Sequence, residues 1–371
     1  CKTKIDFAKL GDVSLREIDE ELIVEVIKYL TKIINLIKPQ RLVYIAIDGP
    51  VPMGKMVCQR ARRFKKVQDE AYKQKLCNKY GVTPQKSFDG NKITPGTQFM
   101  TKLCSRIRNM IQLKCFNQHT NNHFRVVFSD SNSPGEGEAK IMKYIRNSKR
   151  DNEKARNITI YGLDGDLIVL GMSLQIPGVK LLREPDQSST EIASEHVANE
   201  FIYFDCDRCR DGLIKEFKLE EYDQYRIVND VIAFSFFGGN DFVDSFPHTR
   251  IRDRGLVKLF YAYSRIISGG YIVNTDNEIN MTQLNALIVD IAKSEDNAMK
   301  KIHGPHENRQ NEEGVEKTLE KEMSDYEHML YTNPENPFYE YYKTHIEKIQ
   351  YSNPHHVWKK QYNAHFFGQV E

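Results

Sequence analysis

Six carboxylates in this chain occupy positions at which acids do chemistry. Asp48 closes the apolar run from Leu42 to Ile47. Glu136 and Glu138 lie in Ser133-Pro134-Gly135-Glu136-Gly137-Glu138-Ala139-Lys140, just beyond a second run that ends at Phe128. Asp164 and Asp166 follow Tyr161 in Tyr161-Gly162-Leu163-Asp164-Gly165-Asp166, and Asp241 follows Phe236-Phe237-Gly238-Gly239-Asn240. In open α/β sheets functional groups gather beyond the carboxyl ends of the strands. The i, i+2 spacing of the two pairs is awkward on one helix face but natural on extended or turning backbone. Gly137 and Gly165 between them leave room for a close ligand. A single acid at a strand end is usually a cap or turn former; two glycine-spaced pairs plus two singles point further. Crowded into one pocket, such acids raise each other's pKa unless a counter-charge is supplied. Hard oxygen donors without His or Cys favour Mg²⁺ or Mn²⁺ over zinc, and two such ions suit phosphodiester hydrolysis.

A second cluster is cationic. Lys55, Arg60, Arg62, Arg63, Lys65 and Lys66 fall in one short stretch with no acid between them. On a helix, Lys55, Gln59, Arg62, Arg63 and Lys66 share a face. That face, starting shortly after Asp48, suits a phosphate held beside a scissile bond. The competing reading is a solvated basic helix or a localisation signal.

The elements that must position these groups follow from periodicity. Ser14 and Glu17 form a capping-box pattern ahead of Ile18, Leu22, Val26, Leu30, Ile33, Ile34 and Ile37, which predicts one long amphipathic helix stopping before Pro39. Leu42–Ile47 reads as a central strand covered on both faces. Further strand-length runs are 124–128, 158–161, 179–182 and 201–204, separated by helix-patterned stretches. The order predicts an α/β fold with a largely parallel sheet.

The 371 residues, 40% of them hydrophobic, suffice for two or three domains, and 53 Lys plus Arg against 51 Asp plus Glu leave a net charge of only +2. Bulk charge therefore predicts no partner, and any nucleic-acid surface must be local. No apolar run approaches the roughly 20 residues of a membrane helix and no signal-type segment opens the chain, so no membrane is expected and the reading is intracellular and cytoplasmic, with the nucleus as the alternative. Seven scattered cysteines argue against a disulfide framework. The first residue is Cys1, which predicts a fragment.

Taken together, these residues resemble the Xrn-type 5′→3′ exoribonucleases. The resemblance runs through Ile45-Ala46-Ile47-Asp48-Gly49, Lys55 to Phe64, Pro134 to Met142, Tyr161 to Ile168, Leu182-Arg183-Glu184 and Phe236 to Phe242, covering about Asp19 to Asp296 and resuming weakly near Trp358. It implies a PIN-like fold, mainly parallel and shared with flap endonucleases, followed by a mostly helical C-terminal region. It also implies processive, metal-dependent hydrolysis of single-stranded RNA bearing a 5′-monophosphate, with release of mononucleotides. By motif position, Asp48, Glu136, Glu138, Asp164, Asp166 and Asp241 would be the catalytic metal ligands. Lys55, Gln59, Arg62 and Arg63 would form a 5′-phosphate pocket too crowded for a cap or triphosphate.

Patterning and composition divide the chain into a core over 1–283, a charged helical linker or insertion over 284–332, and the start of a helical subdomain over 333–371, and the resemblance implies that the core is a nuclease lacking its first strand. The family's opening Met-Gly-Val-Pro segment, its Asp-x-Asn-Gly segment and the following His have no counterpart here. Two alternatives therefore stand beside the enzyme: an RNA 5′-end-binding module that keeps the phosphate pocket without cutting, and a flap-type DNA endonuclease. Cys206 and Cys209 form one C-x-x-C without a second pair, so packing is expected rather than zinc. His303, His306, His355 and His356 are expected to be solvated. No Gly-Lys-Ser/Thr follows Gly238-Gly239, so no nucleotide cofactor is expected. Tyr339, Tyr341 and Tyr342 are expected to pack in a core rather than stack on bases.

Overall fold

The computed structural model describes residues 15–81, 88–117, 124–148, 157–185 and 200–295 (except 244, 247, 252 and 253), together with 297 and 326. The chain forms two compact units, Cys1–Lys154 and Ala155–Glu371.

In the first unit the expected amphipathic helix is α1 (Leu15–Ile37). Its apolar residues recur at helical spacing, and Ile18, Leu22 and Ile23 are buried against Phe99, Met100, Leu103 and Ile107. The helix ends where Lys38 turns to φ +51° and donates its N–H to Ile34 O, with Pro39 preventing continuation. Ser14 of the expected capping box lies outside the described residues. Directly after α1 the chain forms β1 (Leu42–Ala46) and then α2 (Met53–Lys79). The helix that packs on α1 is α3 (Gln98–Gln112), begun by Thr97, whose hydroxyl accepts the Met100 N–H. Ion pairs from Lys92 to Asp19 and from Arg106 to Glu20 add to this contact.

β1 pairs in parallel with β2 (Arg125–Ser129), Leu42 opposite Arg125 and Ala46 opposite Ser129. The ladder continues one step, with Ile47 N–H donating to Ser129 O. α4 (Gly137–Ser148) follows and packs on β1, where Tyr144 stacks on Tyr44. Of β1 only Ile45 is fully buried, so the strand is half-covered rather than sealed on both faces as its composition predicts.

In the second unit β3 (Ile158–Tyr161) leads to α5 (Asp166–Ser173) and β4 (Val179–Arg183), which is parallel to β3; β5 (Ile202–Asp205) then pairs antiparallel with β4. Four α-helices follow among the described residues: α6 (Cys206–Glu216), α7 (Gln224–Ser235), α8 (Gly255–Ile266) and α9 (Met281–Ala292). Their core is built on Phe217, Ile227, Phe234, Leu259, Phe260, Tyr263 and Leu287. Within it Asp230 is fully buried and accepts from Tyr263 Oη (2.7 Å), Ile272 N (2.9 Å) and Val273 N (2.7 Å). One carboxylate on α7 thereby ties α8 to the chain that leads into α9.

All five apolar runs are strands, but the expectation of one largely parallel sheet needs correction. The described strands form a two-stranded and a three-stranded sheet, and the last strand runs antiparallel. Periodicity identifies a strand; pairing depends on where intervening segments return the chain, which apolar runs do not encode. Among the described residues no helix is long and apolar enough to cross a membrane.

Candidate functional site

The parallel pairing of β1 and β2 brings their carboxyl ends side by side, so the segments leaving them meet. Gly49 N–H donates to Gly135 O and Gly135 N–H donates to Pro50 O, both at 2.9 Å. A Cβ on Gly49 would lie 1.8 Å from Ser133 O, so this approach requires glycine. Gly135, at φ +103°, supplies the turn into α4.

Asp48 is held by this arrangement. Its Oδ1 accepts the N–H of Gly137, the first residue of α4, at 2.6 Å. A carboxylate is favoured there by the unpaired N–H groups and the positive end of the helix. Glu136 and Glu138 straddle the same helix start, one in the last loop position and one in the first turn. The i, i+2 spacing thus marks a loop-to-helix junction. Glu136 is bridged by Lys55, whose Nζ lies 2.5 Å from Oε1; both side chains are largely buried. Lys55 sits in the first turn of α2, two residues after its start.

The rest of the cationic cluster lies on α2, which is helical as its spacing predicts. Arg62, Arg63 and Lys66 are exposed, Gln59 is half-buried, and Arg63 Nη2 donates to Gln59 Oε1 at 3.2 Å. Lys65 faces Asp69 at 3.8 Å, one turn on. The structure therefore joins Glu136 to Lys55 and Gln59 to Arg63, and holds Asp48 on the backbone of the adjacent Gly137.

Asp164, Asp166 and Asp241 are carried by the second unit. Asp164 and Asp166 straddle the β3–α5 junction as Glu136 and Glu138 straddle theirs, and both are exposed. Beside them Tyr161 Oη donates to Glu184 Oε1 at 2.9 Å, joining the ends of β3 and β4; burial raises the tyrosine pKa. Asp241 is exposed in a turn where Asn240 Oδ1 accepts from Phe242 N and Val243 N. Gly239 precedes it at φ +80°, where a Cβ would meet Ser245 N at 2.8 Å.

Two residues of this neighbourhood escape a reading for acids and basic faces. Lys140 is 7% exposed, and its Nζ donates to Ile47 O (2.7 Å) and Asp130 O (2.8 Å). It stands inside the Glu136–Glu138 motif, but no periodicity signals its burial. Arg108 of α3 pairs with Asp130, which anchors the same segment. Cys206 is buried on α6 and burial pushes its thiol up to about 12, so it packs as a neutral side chain. The His and Tyr positions noted beyond residue 300 lie outside the described residues.

Two family profiles match this chain, one described as XRN 5′-3′ exonuclease N-terminus over residues 2–185 and one as Xrn1 helical domain over residues 221–364. The chain belongs to the Xrn-type 5′-3′ exoribonuclease family. Among its relatives is 5′-3′ exoribonuclease 1 of Schizosaccharomyces pombe, 34% identical over 297 residues, covering 75% of this chain and 22% of the relative. The human 5′-3′ exoribonuclease 1 is 31% identical over 301 residues, 76% of this chain and 17% of the relative. The S. pombe 5′-3′ exoribonuclease 2 is 31% identical over 337 residues, 80% of this chain and 34% of the relative. The chain thus spans between about a sixth and a third of the length of these curated relatives. Its mixed α/β organisation, with helices dominating and small sheets, agrees with that family.

Proposed function

We propose that the chain is the nuclease portion of a divalent-metal-dependent 5′→3′ exoribonuclease. Its substrate is single-stranded RNA with a 5′-monophosphate, and its products are mononucleotides. The observation that carries this reading is the junction at α4. Asp48 and Glu136 are fixed there by Gly137 N–H and by Lys55, and Lys55 opens the cationic face of α2. An acid that suits a metal, Glu136, and a base that suits a phosphate, Lys55, are thus in direct contact beside Asp48.

The donor set fits Mg²⁺ or Mn²⁺. Asp48, Glu136, Glu138, Asp164, Asp166 and Asp241 offer only carboxylate oxygens, and Asp48 uses one of its two oxygens for the Gly137 N–H. We assign all six to holding the metal, in a PIN-like fold. When bound, such ions lower the pKa of water and neutralise charge on the scissile phosphate. The protein's own contribution is to orient. The cationic face of α2 binds the terminal phosphate through Lys55, Gln59, Arg62 and Arg63, and a planar guanidinium can grip two phosphate oxygens at once. A terminal monophosphate is a compact dianionic group, and a cap or triphosphate would exceed this short row of donors.

The test is degradation of a 3′-labelled single-stranded RNA bearing either a 5′-monophosphate or a 5′-hydroxyl, by the purified chain with Mg²⁺ or with EDTA. The expected result is Mg²⁺-dependent loss of the monophosphate RNA alone, and its abolition in Asp166→Ala with RNA binding retained, because metal ligands serve the transition state more than the ground state. Full activity of Asp166→Ala would overturn the metal assignment. Tighter binding of the monophosphate RNA without cleavage would instead support an end-binding module.

A further inference from the structure

Burying a lysine is costly unless each ammonium N–H finds an acceptor, and an apolar side chain would fill the same space without that cost. Lys140 must therefore be explained by what its charge and donors do. It rises from the first turns of α4 into the gap beneath the two strand-end segments. There its Nζ reaches a carbonyl on each, Ile47 O after β1 and Asp130 O after β2. Ile47 is the residue before Asp48, and Asp130 is fixed by Arg108 of α3. The space is tight: a Cβ on Gly49 would come within 3.3 Å of the ammonium. Burial lowers the Lys140 pKa, and the nearby Asp48 carboxylate opposes that shift only in part.

The charges around the start of α4 explain the choice of lysine. Asp48, Glu136 and Glu138 are gathered there, and Lys55 answers Glu136. We propose that Lys140 is a positioning residue for metal binding: its ammonium is a built-in cation that locks the Asp48 segment to the β2 end and aims Asp48 at the start of α4 before any divalent ion arrives. This inference rests on the metal reading above. It is the arrangement in which a site is held by its supporting groups rather than by the metal itself.

The test is Mn²⁺ binding to the 371-residue chain, followed by the electron paramagnetic resonance signal of free Mn²⁺, with thermal midpoints recorded in parallel. Lys140→Met, nearly isosteric but without charge or donors, is expected to weaken Mn²⁺ binding by about tenfold or more, the usual effect of removing a group that orients a ligand. Lys140→Arg is expected to recover most of that loss. An Mn²⁺ affinity of Lys140→Met within about twofold of the parent would overturn the proposal. Equal weakening in both variants would also overturn it, because a packing defect would suffice. If Lys140→Met does not fold, the unaltered chain decides through its lysine ¹⁵Nζ resonances. A slowly exchanging ammonium signal that moves on titration with Mg²⁺ is expected, and its absence refutes the proposal. Failure of the parent chain to bind Mn²⁺ at all would instead remove the metal reading itself, and this inference with it.

Discussion

His248 gives the sharpest pH prediction. It lies in the loop that carries Asp241, is 2% exposed, and its Nε2 sits 3.0 Å from Ile291 O on α9. The neutral ring donates that hydrogen bond, and among the described residues Nδ1 has no hydrogen-bond partner. Among the described residues two charges lie near the ring: Lys258, whose Nζ donates to the His248 carbonyl, and Glu295, whose Oε1 is 4.0 Å from Nδ1. Burial lowers the His248 pKa from 6.5 to about 4; the hydrogen bond to Ile291 O opposes that fall and Lys258 adds to it. Between those values the unfolded chain takes up a proton that the folded chain refuses. The stability linked to His248 is therefore complete above pH 6.5 and is lost as pH falls towards 4. At about 1.4 kcal/mol per pH unit, the loss is about 3 kcal/mol. Urea unfolding of the parent and of His248→Gln between pH 7 and pH 4 measures it. Gln keeps an N–H for Ile291 O but cannot titrate, so the stability difference between the two proteins should narrow or reverse by that amount on acidification. Parallel pH profiles would refute the reasoning.

Two further predictions test the core and the phosphate face. Asp230→Ala strands the Tyr263 hydroxyl and the N–H groups of Ile272 and Val273 in the core. At about 1–3 kcal/mol for each orphaned donor, less whatever relaxation recovers, the cost is roughly 3–6 kcal/mol, most of what a small domain has. A urea midpoint shift equivalent to less than about 1 kcal/mol would refute the assignment. Arg62→Ala removes an exposed guanidinium from the cationic face of α2. It should cut the preference for 5′-monophosphate over 5′-hydroxyl RNA by about 10- to 100-fold, the worth of one charge-assisted contact, with an unchanged ratio in competition binding counting against the pocket.

The six candidate carboxylates could be picked out because each stands beyond a strand-length apolar run or a glycine turn, a position at which sequence and local geometry coincide. The basic face of α2 was equally visible, since unbroken positive charge at helical spacing leaves little else to infer. Strand pairing was not visible, because Leu42–Ala46 and Arg125–Ser129 are joined by register rather than by pattern. His248 and Asp230 were hidden for a related reason. Each is a single polar residue among apolar neighbours, and its burial depends on elements far along the chain: Ile291 for one, Ile272 and Val273 for the other.

The same limit explains why a list of acids and bases understates the site. Read along the sequence, Lys55 and Glu136 belong to separate clusters with separate tasks, a phosphate and a metal. In the fold they neutralise each other at 2.5 Å, with both side chains largely withdrawn from water. A phosphate oxygen that approaches Lys55 must therefore compete with Glu136, and a metal ion that approaches Glu136 must compete with Lys55. If both ligands arrive together, each releases the residue the other needs, so phosphate and metal should strengthen one another's binding. Reciprocity requires the same factor in both directions. Measuring Mn²⁺ affinity with and without a 5′-phosphorylated oligonucleotide, and oligonucleotide affinity with and without Mn²⁺, tests it directly; independent binding would mean that the Lys55–Glu136 pair stays closed when either ligand is bound.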